Sequence, residues 1–340
     1  MAVNIFNTNS NTLLSGTSGK DTIQNGGYDK NDVYHSSGYY VTIASGSGND
    51  SVYNYNGDYS NISLGVGNDS MYGYDNDHVT VDAGVGADTI TGSFYDSKIY
   101  AGDGADRISI TGGSTNTVDG GAGNDSIFAY GGTISGGEGN DSISTYYGSI
   151  LGGDGADRIN VTYYGTVNGG AGNDTLSGNG SATYYGSVFQ FGNSDGNDLI
   201  TNYSSRDTIH LTEANEIEDH YKSGSNYIIA TENGLITLQG AANKNIIVRY
   251  ASGIVDTIMP GVNQIYNSTS IGSDEVGTGD YFGPIVVTAT YVEKENIDFL
   301  LELGVKDSKK MSDSDILRVV PEVIKKIPYN TYILNNSQYN

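Results

Sequence analysis

Two sets of carboxylates in this 340-residue chain are placed to do chemistry. The first is a row of aspartates, each closing a glycine-rich phrase. Asp119-Gly-Gly-Ala-Gly-Asn-Asp125-Ser-Ile127 is the sharpest copy. Ser135 to Ile143 around Asp141, Leu151 to Ile159 around Asp157 and Asn168 to Leu176 around Asp174 nearly repeat it, and looser copies end at Asp50, Asp69, Asp88 and Asp106. These eight aspartates follow one another at 19, 19, 18, 19, 16, 16 and 17 residues. Adjacent glycines allow a tight loop at positive φ and leave carbonyl oxygens uncovered. The aspartate adds a short carboxylate beside them. An oxygen-only loop suits a hard cation, above all calcium. The second set is Asp274 and Glu275, within Gly272-Ser-Asp274-Glu275-Val-Gly277-Thr278-Gly279-Asp280. Neighbours on a strand project to opposite faces, so both carboxylates meet one metal only where the strand twists or bulges. The glycines that follow would let a nucleic-acid backbone come close. Ser308, Lys309 and Lys310 offer donors to phosphates.

The elements that must position the first row follow from its period. Near-constant repetition at this length predicts a solenoid. A step near 18 residues is two nine-residue halves, so each coil has two edges, and the Gly-Asp loops occupy one. The other edge is degenerate, with turns such as Asn56-Gly57-Asp58, Tyr146-Tyr147-Gly148, Tyr163-Tyr164-Gly165 and Tyr184-Tyr185-Gly186. The apolar residue two after each aspartate is β-compatible and predicted to point inward. The inward ladder reads Ile127, Ile134, Ile143, Ile150, Ile159, Val167, Leu176, Val188, and coils bury it only against each other. Residues 198–256 break the period. Strands are predicted at Asp207–Leu211, at Tyr227–Thr231 and Leu235–Leu238 around an Asn233-Gly234 hairpin, and at Lys244–Tyr250. They form a β-rich cap over the last coil. Residues 257–270 read as a linker. From Ile271 glycine thins and lysine appears. A strand around Thr288–Val292, a short helix from Ile297 to Leu303 and a further helix capped at Ser312 or Asp313 are predicted there.

Composition limits the function classes. The net charge is −24, and Glu138 is the only glutamate before residue 213. A merely solvated acidic face would mix both acids, so the bias favours short loop carboxylates. The acidity argues against direct nucleic-acid binding by the repeats, which needs Lys and Arg. With no cysteine, disulfides and zinc–thiolate sites are excluded. The first 20 residues show no cleavable secretion signal, and no apolar run reaches membrane-spanning length. His35, His78, His210 and His220 are scattered and read as isolated side chains. The 28 tyrosines either cover the roll edge or form a sugar-binding or adhesive face. Gly192-Asn-Ser194-Asp-Gly196 fits the letters of a nucleophile elbow but is not followed by a helix pattern, so it carries no weight.

The repeated phrases resemble the repeats-in-toxin (RTX, hemolysin-type) calcium-binding nonapeptide over about residues 14–200. The resemblance implies a parallel β-roll with Ca²⁺ between loops one full coil apart, held by Asp50, Asp69, Asp88, Asp106, Asp125, Asp141, Asp157 and Asp174. One row of ions is expected, seven at most for eight loops. Lack of an N-terminal signal is compatible with that family's export route, which reads a C-terminal signal.

Residues 271–340 resemble the opening of a ribonuclease HIII catalytic domain, a type 2 ribonuclease H. The matching motifs are Asp274-Glu275-Val-Gly-Thr-Gly-Asp-Tyr-Phe-Gly-Pro284, Gly304-Val-Lys-Asp-Ser-Lys-Lys310 and Tyr339-Asn340. The resemblance implies an endonuclease for the RNA strand of RNA–DNA hybrids. Asp274 and Glu275 would hold Mg²⁺ or Mn²⁺. Gly277, Thr278 and Gly279 would sense the 2′-hydroxyl. Ser308, Lys309 and Lys310 would sit near phosphates. Two further aspartates complete the site in that family, and this sequence ends at Asn340 before them, so an incomplete and inactive site is expected.

The whole chain is therefore expected to be mainly β. A parallel β-roll solenoid over 1–197 and a C-terminal β cap over 198–256 precede a linker and a truncated α/β ribonuclease H-like fragment over 271–340. The function expected first is a calcium-binding structural or surface-interaction module that folds on binding Ca²⁺, with a surface or carbohydrate partner left open. The alternative is a hybrid-specific ribonuclease. The repeats suggest an extracellular or cell-surface location, the ribonuclease-like segment a cytoplasmic one.

Overall fold

A strand with alternate apolar residues can bury one face only against another sheet. A tight glycine or asparagine turn then lets the chain start the next coil. The first of two compact units, Met1–Gln264, is built in this way. The structure is a computed structural model and describes residues 3–28, 34–35, 37–179, 185–212 and 217–259, with the backbone of Ile285–Thr290 and Tyr329–Leu334. No helix occurs among these residues.

Strands alternate between two parallel sheets. One stacks Asn4–Asn7, Thr22–Asn25, Ser51–Tyr55, Ser70–Asp77, Thr89–Tyr95, Arg107–Thr111 and Ser126–Ala129. The other stacks Leu13–Ser15, Thr42–Ser47, Asn61–Val66, Thr80–Val85, Lys98–Asp103, Thr117–Ala122 and Thr133–Glu138. Ser142–Asp154 and Arg158–Ala171 then serve both sheets, since their Tyr-Tyr-Gly turns are short enough to keep the chain extended. The roll does not stop at residue 197. Asp198–Thr201 and Val188–Phe191 continue the two stacks, followed by Gly234–Leu238 and by Thr208–Leu211 with Ile246–Arg249.

The core is built around a double column of apolar side chains, joined by further buried residues such as Leu64, Phe94, Ile110 and Val161. Ile23, Val52, Met71, Ile90, Ile108, Ile127, Ile143, Ile159, Leu176, Ile200 and Ile236 form one column, and none is more than 2% exposed. Ile43, Ile62, Val81, Ile99, Val118, Ile134, Ile150, Val167, Phe189, Ile209 and Val248 form the other. The expected ladder is right except at its last member. Phe189, not Val188, lies in register with Val167 and is fully buried. A one-residue shift turns a strand over, so pairing with the preceding coil decides which of the two points inward.

The C-terminal end is closed by antiparallel strands, as the hairpin signal predicts. Ile217–Ser223 pairs with Asn226–Thr231, which turns at Asn233-Gly234 into Gly234–Leu238. Val255–Ile258 pairs with Ile246–Arg249.

The edge away from the aspartates is more ordered than its sequence suggests. Buried amides link its first coils. Asn7 Nδ2 donates to Asn25 Oδ1, Asn25 Nδ2 to Asn54 Oδ1 and Asn54 Nδ2 to Asn76 Oδ1, at 2.9, 2.7 and 3.0 Å. Further along, tyrosines stack. The rings of Tyr147 and Tyr163 lie 5.2 Å apart at 14°, and Tyr130, Tyr146, Tyr164 and Tyr185 extend the pile. Within this pile the Tyr146–Tyr163 and Tyr147–Tyr163 contacts are stacked and the others are tilted or edge-on, and Tyr163, Tyr164 and Tyr185 stay exposed.

The second unit, Ile265–Asn340, is described only as the antiparallel pair Ile285–Thr290 and Tyr329–Leu334. The first of these strands begins three residues before Thr288, because the β-branched run Ile285-Val-Val-Thr pairs with the later strand, and Tyr291 and Val292 lie outside the described residues. The helices expected over 297–303 and from 312 lie outside the described residues.

Candidate metal centre

Each Gly-Asp loop joins a strand of one sheet to a strand of the other, and backbone sterics write its sequence. Gly137 and Gly139 sit at φ of +112° and +126°. A methyl group on Gly137 would stand 1.8 Å from the Gly121 carbonyl oxygen of the preceding coil, and one on Gly139 would stand 1.8 Å from that of Gly123. Only glycine satisfies both the dihedral and the stacking distance. The loops also bond to one another. Gly139 N–H donates to the Asp154 carbonyl at 2.7 Å, and Asn140 N–H to Asn124 Oδ1 at 2.7 Å.

The aspartates stack directly. The N–H of each donates to the Oδ1 of the next, from Asp50 through Asp69, Asp88, Asp106, Asp125, Asp141 and Asp157 to Asp174, at 2.6–2.8 Å. All eight aspartates are 1–3% exposed. Their other oxygen, Oδ2, is buried in every case and accepts no hydrogen bond. Eight buried acidic oxygens in a column, all unpartnered, is an arrangement that a folded protein keeps only with a proton or a cation beside them.

The titration of the column has the same cause. Burial pushes the carboxyls of Asp69, Asp88, Asp106, Asp125, Asp141, Asp157 and Asp174 up, against the opposing backbone bond, and nearby carboxylates add to it at all of these but Asp141. Asp88 and Asp157 are raised to about 7, Asp125 and Asp174 to about 6. Asp69, Asp106 and Asp141 are raised as well. A bound divalent cation would remove this repulsion, so the donor set, all oxygen and acidic, fits calcium.

In the sharp copies the space beside Oδ2 is open. The first glycine of the phrase has no side chain to fill it. A methyl on Gly136 would meet Asp141 Oδ2 at 2.2 Å and the Gly152 carbonyl oxygen at 2.5 Å. On Gly120 it would meet Asp125 Oδ2 at 2.5 Å and Gly136 O at 2.4 Å, and on Gly152 Asp157 Oδ2 at 2.3 Å and Gly169 O at 2.2 Å. A carboxylate oxygen and a carbonyl oxygen of the next coil thus face the same ground.

The column is longer than the eight residues. Asp21 N–H donates to Asp50 Oδ1, and Asp174 N–H to Asp198 Oδ1, at 2.7 and 2.8 Å. Their steps of 29 and 24 residues break the period and hid them. The local signal was present, because Asp21-Thr-Ile23 and Gly196-Asn-Asp198-Leu-Ile200 keep the spacing from aspartate to inward apolar residue. Gly196, read as part of a nucleophile-elbow match, stacks on Gly172 as one more loop glycine. Asp21 differs from the eight, because its Oδ2 accepts the N–H of Thr17.

The histidines stay apart. His220 contacts the Tyr227 hydroxyl, His210 contacts Gln190, and His35 packs against Phe6. His78 pairs with Asp77 at 2.8 Å, near Asp96, in an exposed group without a further mark of a site. Asp274, Glu275, Gly277, Thr278, Gly279, Ser308, Lys309 and Lys310 lie outside the described residues. No helix among the described residues is long and apolar enough to cross a membrane.

A parallel β-solenoid with a column of aspartate loops along one edge defines a class of repeat protein in which ion-type loops stack coil on coil. Comparison with known families gives the particular repeats. Residues 82–109, 110–143 and 166–182 match the RTX calcium-binding nonapeptide repeat, and residues 271–340 match ribonuclease HII. The chain carries RTX calcium-binding repeats followed by a ribonuclease HII-family segment. Among curated relatives, a ribonuclease HIII of Exiguobacterium sibiricum is 42% identical over 112 residues, 32% of this chain and 37% of that protein. A ribonuclease HIII of Phytoplasma mali is 54% identical over 72 residues, 21% of this chain and 25% of that protein. The chain thus spans well under half of either relative. A solved Bst-RNase HIII in complex with Mn²⁺ is 30% identical over 37% of this chain and 46% of that one, with a TM-score of 0.19.

Proposed function

We propose that the roll is a calcium-binding structural or surface-interaction module whose coils are consolidated by ions held along the aspartate column. Asp50, Asp69, Asp88, Asp106, Asp125, Asp141, Asp157 and Asp174 are the candidate carboxylates. The observation that carries this reading is the set of eight buried, unpartnered Oδ2 atoms. Bound calcium would supply the positive charge that lets stacked carboxylates stay ionised in the fold. Metal affinity then becomes folding free energy. The RTX match agrees with an extracellular or surface setting, where calcium is abundant enough for weak sites.

The test is circular dichroism from zero to several millimolar calcium, with magnesium as control. A cooperative, calcium-specific gain of β signal or of melting temperature is expected. A chain equally folded and equally stable in chelator and in calcium refutes the reading.

The C-terminal segment supports a second reading through its match to ribonuclease HII over 271–340. In this reading Asp274 and Glu275 hold Mg²⁺ or Mn²⁺. Gly277, Thr278 and Gly279 contact the RNA backbone, and Ser308, Lys309 and Lys310 lie near phosphates. Mn²⁺-dependent cleavage of the RNA strand of an RNA–DNA hybrid that Asp274→Asn abolishes would support this reading and make the enzyme the primary function, and no cleavage by the wild-type chain would refute it.

A further inference from the structure

The eight aspartate loops look alike in their orphaned oxygens, yet the ground in front of those oxygens differs between the two halves of the roll. Register makes the comparison exact in position. Ser45, Leu64, Ala83, Ala101, Gly120, Gly136, Gly152 and Gly169 occupy one stacked line, each bracketed by paired neighbours in adjacent coils. In the first four coils this position carries a side chain, and Ser45, Leu64, Ala83 and Ala101 are all fully buried. Ser45 Oγ also donates to the Leu64 carbonyl at 2.6 Å, so the oxygen that would face a cation there already has a partner. In the last four coils the position is glycine, and at Gly120, Gly136 and Gly152 both a carboxylate oxygen and the next coil's carbonyl oxygen face the opening. At Gly169 the nearest atoms are those of Asp174 alone, and no carbonyl of the following, longer coil is among them. At Gly16 the opening exists, but Asp21 Oδ2 is bonded to Thr17.

We propose that calcium occupies only the C-terminal half of the column, as three ions in the openings at Gly120, Gly136 and Gly152, while the coils of Asp50, Asp69, Asp88 and Asp106 stack without metal. This rests on the calcium reading above and narrows it from the seven gaps the spacing allows. The residue preceding the positive-φ glycine decides the outcome. A glycine leaves two oxygens open to a hard cation, and an alanine, serine or leucine fills that ground with its own atoms. The N-terminal coils are then a metal-free scaffold, held by their apolar columns and by the buried asparagine ladder of the opposite edge.

The test is calcium stoichiometry of the full chain by isothermal titration calorimetry, checked by equilibrium dialysis. Three ions per chain are expected. Gly136→Ala should lower the count by one. It keeps an ordinary backbone dihedral, since Gly136 is not among the positive-φ glycines. Ala101→Gly should raise the count by one, by opening the ground before Asp106 Oδ2. This second variant removes only a methyl group, so it keeps the test alive if Gly136→Ala folds poorly. Amide exchange adds a map, in which calcium slows exchange between Gly120 and Asp174 and leaves Thr42–Asp106 unchanged. Six or seven ions in the wild type, or calcium protection reaching Asp50 and Asp69, would overturn the partition and leave the calcium reading standing. No calcium bound by a folded chain or by either variant would sink both.

Discussion

Asp157→Asn separates the two states of the aspartate column most cleanly. The substituted side chain keeps the ladder. Its Oδ1 still accepts the Asp141 N–H, at 2.7 Å in the wild type, and its own N–H still donates to Asp174 Oδ1 at 2.8 Å. What changes is Oδ2, buried without a partner, which becomes an amide NH₂ facing the same ground as the Gly169 carbonyl. Burial is the main force that raises the wild-type carboxyl to about 7 from 3.8, with the charges of Asp174, Asp141 and Asp154 adding to it. The sign follows from linkage. With a folded pKa above the unfolded one, the proton-linked stability is complete below 3.8 and is lost as the pH rises through about 7. A rise of about three units corresponds to ~4 kcal/mol, which we halve to ~2 kcal/mol because water reaches the loop edge. Asparagine has no proton to lose. In chelator at pH 8 the variant should therefore be more stable than wild type by ~2 kcal/mol, a melting shift of about 4–8 °C for a unit of this size. The gap should close near pH 4, and the calcium-induced shift should shrink. Thermal melts followed by circular dichroism at several pH values, with and without calcium, read all three effects. A variant that melts below wild type in chelator at pH 8, or a gap that persists at pH 4, would refute the reasoning.

Three further outcomes follow from the same structure. Calcium-free wild type should lose stability steadily from pH 5 to pH 8, since Asp88 and Asp157 are raised to about 7 and Asp198 to about 8, and urea titrations at each pH measure the slope. Gly121→Ala should destabilise the roll by ~2–4 kcal/mol even in saturating calcium, because φ is +100° and the new methyl would stand 2.1 Å from the Gly102 carbonyl oxygen. Ile143→Ala, fully buried in the apolar column, should lower stability by ~2–5 kcal/mol in calcorimetric or chemical melts while leaving the number of bound ions unchanged.

Much of the roll is legible in the chain because a solenoid repeats its local instructions. A glycine pair, an aspartate and an apolar residue two places on were enough to place the loops around Asp125, Asp141, Asp157 and Asp174 and the inward residues Ile127 to Leu176. Irregular coils escaped the period. Asp21 and Asp198 join the column across 29 and 24 residues, where more of the chain separates one loop from the next. The far edge looked degenerate because its order lies in contacts between coils, such as Asn25 with Asn54, and not in a repeated phrase.

The sequence by itself determined the period, the oxygen chemistry of the loops and the apolar plug of each half-coil, since each is a property of one short segment. The tertiary structure decided what depends on two coils at once. Pairing with Val167 turned Phe189 inward in place of Val188. Stacking exposed eight Oδ2 atoms as unpartnered, and showed that the residue at Gly120, Gly136 and Gly152 leaves open what Leu64, Ala83 and Ala101 fill. A coil's neighbour is fixed only when the chain has wound once around, so the contents of each opening are set by residues 16 to 29 positions away.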